Sequence, residues 1–280
     1  SNFNIAGRSS DEFSYLPELD KINPLGENYT FDKPWDFFNW GISSEYTPCN
    51  EVKTYFRYAM THREPTRSDM FGGNEWYLGD LVTTTPEIAN DVEAGLVLVL
   101  NKLTVNLNAY YMWFRNELIL NGEYGPNGLP CHESAKDSHR TGLELTLDWE
   151  MFKNFHFINN SSYSGNVFVS ETFGNKNHIL TPAITVNQDI VYSTDTWEVG
   201  TNFNYHSKMY VDMANEHELP CNWSLNIHAS KRFGNFEVGV RANNLTNRVN
   251  YCTGAVNEIG ETLYFREAGF NFLANMKIYF

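Results

Sequence analysis

Residues 269–280 alternate apolar and mostly polar side chains up to a terminal phenylalanine. Phe270, Phe272, Ala274, Met276, Ile278 and Phe280 fall on one face, and Asn271, Asn275 and Lys277 on the other. A period of two over that length predicts one extended strand of roughly 11 residues. That length crosses a bilayer at about 45° of tilt. No stretch of the chain approaches the roughly 20 consecutive apolar residues that a membrane helix needs. Any bilayer crossing is therefore made by strands.

The same period recurs along the chain. Residues 36–47 and 53–60 form a first pair around Pro48-Cys-Asn-Glu51. Residues 91–100 turn at Asn101-Lys102 into 104–115, with Val105, Leu107, Ala109, Tyr111 and Trp113 on one face and Asn106, Asn108 and Tyr110 on the other. Residues 140–150 place Leu143, Leu145, Leu147 and Trp149 opposite Glu144, Thr146 and Asp148, and turn at Phe152-Lys-Asn154 into 155–163. Residues 180–192 turn into 196–206, residues 221–233 turn at Gly234-Asn235 into 236–243, and the terminal strand follows. Segments 61–90, 116–138, 164–179, 207–220 and 244–267 read as long loops.

Turns of about 2–5 residues thus alternate with loops of about 14–30, the pattern of an outer-membrane barrel with short periplasmic turns and long outer loops. The fold class is all-β: a transmembrane antiparallel β-barrel with about eleven strands in this chain. An open sheet of that size in lipid leaves an edge of unpaired backbone groups, so a missing amino-terminal half is expected to complete the wall. Residues 1–35 show no obvious beginning, initiator Met or export signal, and the chain is expected to be a piece of a longer protein.

Composition agrees. The chain is 15% aromatic, with 20 Phe, 16 Tyr and 7 Trp among 280 residues. Trp113, Trp149, Trp197, Trp223 and Phe280 read as rings anchored at the headgroup level. A formal charge of -14 argues against nucleic acid as a partner. Of four cysteines, Cys131, Cys221 and Cys252 fall in long loops and Cys49 in a short turn. One loop disulfide is compatible with an oxidising compartment, with the pairing open.

Four segments carry a resemblance. Residues 55–69 (YFRYAMTHREPTRSD), residues 85–95 (TPEIANDVEAG), His139-Arg-Thr-Gly-Leu-Glu-Leu145 and Ala242-Asn-Asn-Leu-Thr-Asn-Arg248 occur in this order ahead of the aromatic terminal strand. Together they resemble the carboxy-terminal half of the barrel of TonB-dependent outer-membrane receptors. The run Arg63-Glu-Pro-Thr-Arg67 is similar in style to receptors of the Bacteroidota. The resemblance covers the chain from about residue 36. It implies a barrel of 22 strands, with residues 1–280 as a partial barrel domain and the plug domain and first barrel half outside this chain. The implied partners are that amino-terminal half, TonB acting through the plug, lipid and lipopolysaccharide, and, where the cargo is a glycan or peptide, a surface lipoprotein. The implied location is the outer membrane of a Gram-negative bacterium.

Candidate ligand contacts at the outer face are His62, Arg63, Glu64 and Arg67, with Tyr124 and His132 from the loop 122–139. The plainer reading of Arg63, Glu64 and Arg67 is an ion-paired loop. His62 stands where haem receptors of the resembled family carry an iron ligand, but the flanking Arg-Glu-Pro and Thr-Thr-Pro-Glu match the haem motifs only loosely. His132 and His139 form a conceivable two-histidine pair, against a simple tied-down loop. Asp212–Glu218 with His217 supplies hard oxygen ligands at a spacing that is not diagnostic for Ca²⁺. Glu93, Glu144, Asp148, Glu198, Glu237 and Arg241 are expected to face the lumen and the plug. No resident cofactor or metal is implied, and no catalytic constellation emerges, so the chain is not expected to be an enzyme. The implied function is TonB-dependent uptake of a scarce, bulky nutrient. An iron–siderophore complex is the family default; glycan, peptide, cobalamin or haem import and a passive porin-like barrel are the alternatives.

Overall fold

The structure is a computed structural model and describes residues 4–9, 34–70, 83, 85–124, 130–170, 172–257 and 259–280. Most of residues 1–35, residues 71–82 and residues 125–129 lie outside the described residues, as do the side chains of Arg67 and Tyr124.

The elements in chain order are β1 (Asn4–Ser9), β2 (Trp35–Cys49), β3 (Val52–Arg63), α1 (Arg67–Met70), β4 (Glu87–Leu100), β5 (Leu103–Tyr124), β6 (Pro130–Phe152), β7 (Phe155–Ser170), β8 (Gly174–Asn177), β9 (Ile184–Ser193), β10 (Trp197–His206), β11 (Met209–Tyr210), β12 (Glu218–Leu219), β13 (Asn222–Phe233), β14 (Phe236–Asn243), β15 (Tyr251–Val256), β16 (Thr262–Arg266) and β17 (Asn271–Ile278). One antiparallel sheet of 13 strands runs β1-β2-β3-β4-β5-β6-β7-β9-β10-β13-β14-β17, with β8 pairing to β7. It contains two strands beyond those read from the sequence, β1 and β8. Among the described residues β17 pairs only with β14.

The register turns the period of two into a two-faced wall. Leu96↔Leu107, Leu107↔Leu145, Val105↔Leu147 and Ala109↔Leu143 align on one face. Val238↔Met276, Val240↔Ala274 and Ala242↔Phe272 continue it at the carboxyl end. This face is left open: Met276 is 63% exposed, Phe272 60% and Leu143 51%. A water-soluble sheet does not present such a continuous apolar surface; a sheet facing lipid must. No described helix is long and apolar enough to cross a membrane, which leaves strand crossing untouched.

Aromatic rings mark both rims of the wall. At the long-loop end Trp40, Tyr58, Trp113, Tyr111 and His139 touch in sequence across four strands, with centroid separations of 4.9, 6.2, 5.7 and 5.9 Å. At the short-turn end Phe155 meets Tyr192 at 4.8 Å. There Lys231 lies 4.2 Å over Trp197, its aliphatic stem on the apolar face and its charge at the rim.

Above the long-loop rim the chain departs from expectation. Residues 116–138 are not a loop: β5 and β6, of 22 and 23 residues, run far beyond the wall as a paired ribbon. Likewise β7 extends to Ser170 and β8 folds back on it, and residues 244–267 contain the hairpin β15–β16. The ribbon carries the chain's small hydrophobic core. Ile119 of β5, Ala135 of β6, Phe168 of β7 and Met213 between β11 and β12 cluster together, each buried. Val211 and Leu219 are buried beside Gly254 of β15, so the two small hairpins pack on each other. Gly122 has φ +88, and a Cβ there would sit 2.7 Å from the Val211 carbonyl oxygen, so only glycine allows this approach.

Candidate functional site

The face opposite the apolar one is polar and cross-linked. Tyr55 Oη donates to Asn108 Oδ1 at 3.1 Å, and Asn108 Nδ2 donates to Glu144 Oε2 at 3.1 Å. Glu93 stands directly across from Arg57. Asp148 lies 3.7 Å from His156 Nδ1, and Glu198 3.5 Å from His228 Nε2. Glu237 accepts from Lys277 Nζ at 3.1 Å and from Tyr279 Oη at 2.6 Å. Arg241 is aligned with His228 and Leu273 and remains exposed. The six acidic and basic residues singled out in the sequence thus share one face, spread across the sheet rather than gathered in a cluster. Tyr55 and Tyr110 lie flat over Gly95 and Gly142 of the neighbouring strands, where no Cβ would fit.

An asparagine ladder centred on Asn202 crosses the same face. Asn202 Nδ2 donates to Asn187 Oδ1 and Asp189 Oδ1, both at 2.9 Å, while its Oδ1 accepts from Asn226 Nδ2 at 3.0 Å. Asn226 Oδ1 in turn accepts the Asn244 backbone N–H at 2.9 Å, fixing the turn after β14.

At the long-loop end, His62 is the penultimate residue of β3. Its backbone N–H donates to Asn39 Oδ1 at 2.8 Å, its Nδ1 lies 3.0 Å from the same oxygen, and its ring stacks on Phe37. Arg63 reaches Asp69 at 3.2 Å and Glu87 at 3.3 Å. Thr66 and Asp69 exchange side-chain-to-backbone bonds around α1, a reciprocal cap that fixes the loop entry. Glu64 lies beside them, half-buried, and Arg67 opens α1. Tyr124 and His132 lie far along the ribbon, Tyr124 opposite Pro130 and His132 opposite Leu120.

Two sequence readings are corrected here. His132 and His139 are seven positions apart on the continuous strand β6 and so point to opposite faces. His139 is bound at 2.8 Å to Tyr111 Oη. The pair cannot share a ligand. The Asp212 carboxylate accepts from the backbone N–H groups of Glu216 at 3.2 Å and His217 at 2.7 Å, closing its own turn. It is a loop staple and not a free calcium ligand.

A buried ionic cluster in the ribbon has no counterpart in the sequence reading. Glu117 binds Ser138 and Arg140, and its Oε2 lies 3.7 Å from His178 Nε2. Burial pushes the Glu117 carboxyl above its usual range, against the opposing pull of Ser138 and Arg140. Burial first, and the Arg140 charge second, lower His178 from 6.5 to about 4, so its imidazole is neutral at ordinary pH. The only sequence trace is a glutamate directly ahead of the apolar run Leu118-Ile-Leu120.

The sheet superposes on solved import and uptake receptors. The ferric-catecholate import receptor Fiu of E. coli K12 shares 19% identity and a TM-score of 0.67, covering 92% of this chain and 38% of its own. The ferric yersiniabactin uptake receptor FyuA of Yersinia pestis shares 16% and 0.74, covering 91% and 39%. The siderophore receptor PiuA of Acinetobacter baumannii shares 17% and 0.73, covering 92% and 38%. The chain therefore spans about two fifths of the length of these structures. Among curated proteins no sequence match is found. Residues 2–245 match the family described as TonB dependent receptor-like, beta-barrel. With its two-faced antiparallel wall and aromatic rims, this chain belongs to that family, and its strands cross an outer membrane many times.

Proposed function

We propose that this chain is the carboxy-terminal half of a 22-stranded receptor barrel of Bacteroidota type. In this reading the complete receptor imports an iron–siderophore complex with energy relayed by TonB. The observation that supports it is a lipid-ready sheet whose last strand, β17, has one neighbour among the described residues. In a bilayer its free edge would leave backbone groups without partners, and a first barrel half supplies them. The similar receptors, which the chain covers only over about two fifths, are long enough to contain that half and a plug.

In this reading the polar face lines the lumen. Glu93, Glu144, Asp148, Glu198, Glu237 and Arg241 meet the plug, hydrating its path as it rearranges. The outer-end residues Arg63, Glu64 and Arg67, with Tyr124 and His132 on the ribbon, contact ligand as it arrives. His62 supports that entry from its place against Asn39 and Phe37. Siderophore is the favoured cargo because the three solved receptors are described as taking ferric catecholate, ferric yersiniabactin and siderophore.

The test is accumulation of radioactive iron, presented as a siderophore complex, by iron-starved cells with and without the complete receptor. Loss on deletion, and equal loss when an uncoupler collapses the proton-motive force, is the expected result. Uptake that persists without that force identifies a passive pore and overturns the proposal. A Soret band in the purified receptor reassigns the cargo to haem.

A further inference from the structure

At its long-loop end the polar face holds a hollow of about 310 Å³. Ser224 and Asn226 of β13, Asn243 of β14 and Asn271 of β17 line it from the sheet. Asn244, Asn250 and Glu267 line it from the chain on either side of the β15–β16 hairpin. These connecting residues are fixed from within. Asn244, 5% exposed and at φ 50, accepts the Arg248 N–H on Oδ1 at 3.0 Å and donates from Nδ2 to the Arg248 carbonyl at 2.9 Å. Asn250, 3% exposed, donates from Nδ2 to the Trp223 carbonyl at 2.8 Å, and its backbone carbonyl accepts the Glu267 N–H at 2.9 Å. Walls held in this way have their shape before a ligand arrives, which lowers the ordering cost of binding.

The hollow keeps hydrogen-bonding capacity that the fold does not use. Asn250 Oδ1 is buried and accepts no hydrogen bond among the described residues. A buried acceptor in that state is costly, and a donor on a ligand relieves it. Asn243 donates to Asn271 Oδ1 at 2.8 Å, yet its own Oδ1, the Ser224 hydroxyl and the Glu267 carboxylate have no partner among the described residues. The nitrogens of Asn243, Asn250 and Asn271 each make one side-chain bond and retain a second hydrogen. Among the described residues no lysine or arginine lines the hollow. Arg248 is engaged by the Cys221 carbonyl and the Trp223 ring, and Arg241 lines a neighbouring hollow with Glu198, Glu237 and Lys277. The complement of this lining is an uncharged group that both donates and accepts, a hydroxyl or an amide. An anionic group would meet Glu267 and two carboxamide oxygens with no countercharge beside it.

We propose that this hollow is a recognition subsite for uncharged hydroxyl- or amide-bearing groups of the cargo, and that it selects against anionic complexes. The inference rests on the reading of the chain as part of an import receptor, but not on iron as the cargo. A neutral ferric hydroxamate and an oligosaccharide present the same chemistry to these residues, and the test separates the two.

The complete receptor, purified in detergent, is titrated by calorimetry with ferrichrome (a neutral ferric trihydroxamate), maltohexaose (a neutral oligosaccharide) and ferric enterobactin (an anionic tris-catecholate). One of the neutral probes is expected to bind about tenfold or more tightly than the anionic one. Asn250→Ser, which withdraws the buried acceptor, is expected to weaken that probe about tenfold, the effect of one hydrogen bond lost from a buried site. Glu267→Lys reverses an exposed charge and is expected to narrow the preference over ferric enterobactin about tenfold by strengthening the anionic probe. A merely structural role for these residues would weaken every probe together and strengthen none. Heat-modifiable migration reports folding, and if Asn250→Ser fails to fold, Asn243→Ala carries the same measurement. Maltohexaose binding alone, lost in the same variants, upholds the subsite and overturns iron–siderophore as the cargo. Tightest binding of ferric enterobactin overturns the subsite and leaves siderophore import standing. Absence of binding by both neutral probes, or affinities that the variants leave unchanged, would also overturn the inference.

Discussion

The wall and the ribbon above it are made of the same strands but held by opposite means. In the wall, Leu107, Leu145 and their neighbours turn outward, and the apolar contacts are left for lipid. The hydrogen-bond ladder and the cross-linked polar face are the internal glue. In the ribbon, β5, β6 and β7 have left the bilayer, and their apolar side chains turn to one another. Phe168, 1% exposed, packs with Ile119, Ala135 and Met213 as in any water-soluble domain. One pair of strands therefore changes solvent along its length, and the face that is buried changes with it.

That contrast can be broken or sharpened by experiment. The largest expected effect is Phe168→Ala, a full-size cavity costing about 3–5 kcal/mol within the ribbon. Hydrogen exchange should rise around residues 209–219 and leave the wall protected; melting of both together would show that the two regions are one cooperative unit. Next is Leu145→Arg in the wall, at about 2–4 kcal/mol near mid-membrane, with Glu144→Gln beside it costing under about 1 kcal/mol. Refolding titrations in lipid vesicles that ranked them the other way would refute the strand phase.

Acid should loosen the ribbon alone. The folded state holds His178 at about 4 against an ordinary 6.5, so the unfolded segment binds the extra proton between those values. Stability from this group is complete above pH 6.5 and falls as pH drops toward 4, by about 1.4 kcal/mol for each unit. Glu117, with its carboxyl raised, acts in the opposite sense, its contribution fading as pH rises above its ordinary 4.5. Protease nicking of the ribbon should therefore increase on acidification through this window, and His178→Gln should flatten the response. Gly122→Ala is expected to cost about 1–3 kcal/mol, from a left-handed backbone and the Val211 carbonyl. It should appear as faster exchange at β11 and β12 without change in the wall.

The wall was legible in the sequence because alternation there is enforced on both faces at once. From Val105 to Tyr111 and Leu143 to Trp149, one slip would put asparagines or carboxylates in lipid, so the period is clean. The ribbon was not. Asn116 adopts φ 55, and beyond it Glu117 and Ile119 are both buried, so the polar and apolar marks no longer separate by face. A further register shift falls between Leu120 and Tyr124. The pattern then looks like loop although the ladder continues. The Glu117–Arg140–His178 cluster was hidden for the same reason. Its members come from three segments, two of which read as loop, and only folding brings them together. The free Asp212 carboxylate and the histidine pair failed differently: composition was read correctly, but backbone amides and strand parity had already assigned those side chains.

From β2 to β17 every crossing strand lies beside the crossing strands that precede and follow it in the chain. Such a meander never requires one segment to thread past another. It can be laid down like a fabric that grows row by row, each new hairpin stitching to the row before it, with loop closure over short distances throughout. In the closed barrel proposed above, only the final seam, where the outermost row would meet its distant counterpart, joins partners remote in sequence, and that seam is where assembly should be slowest.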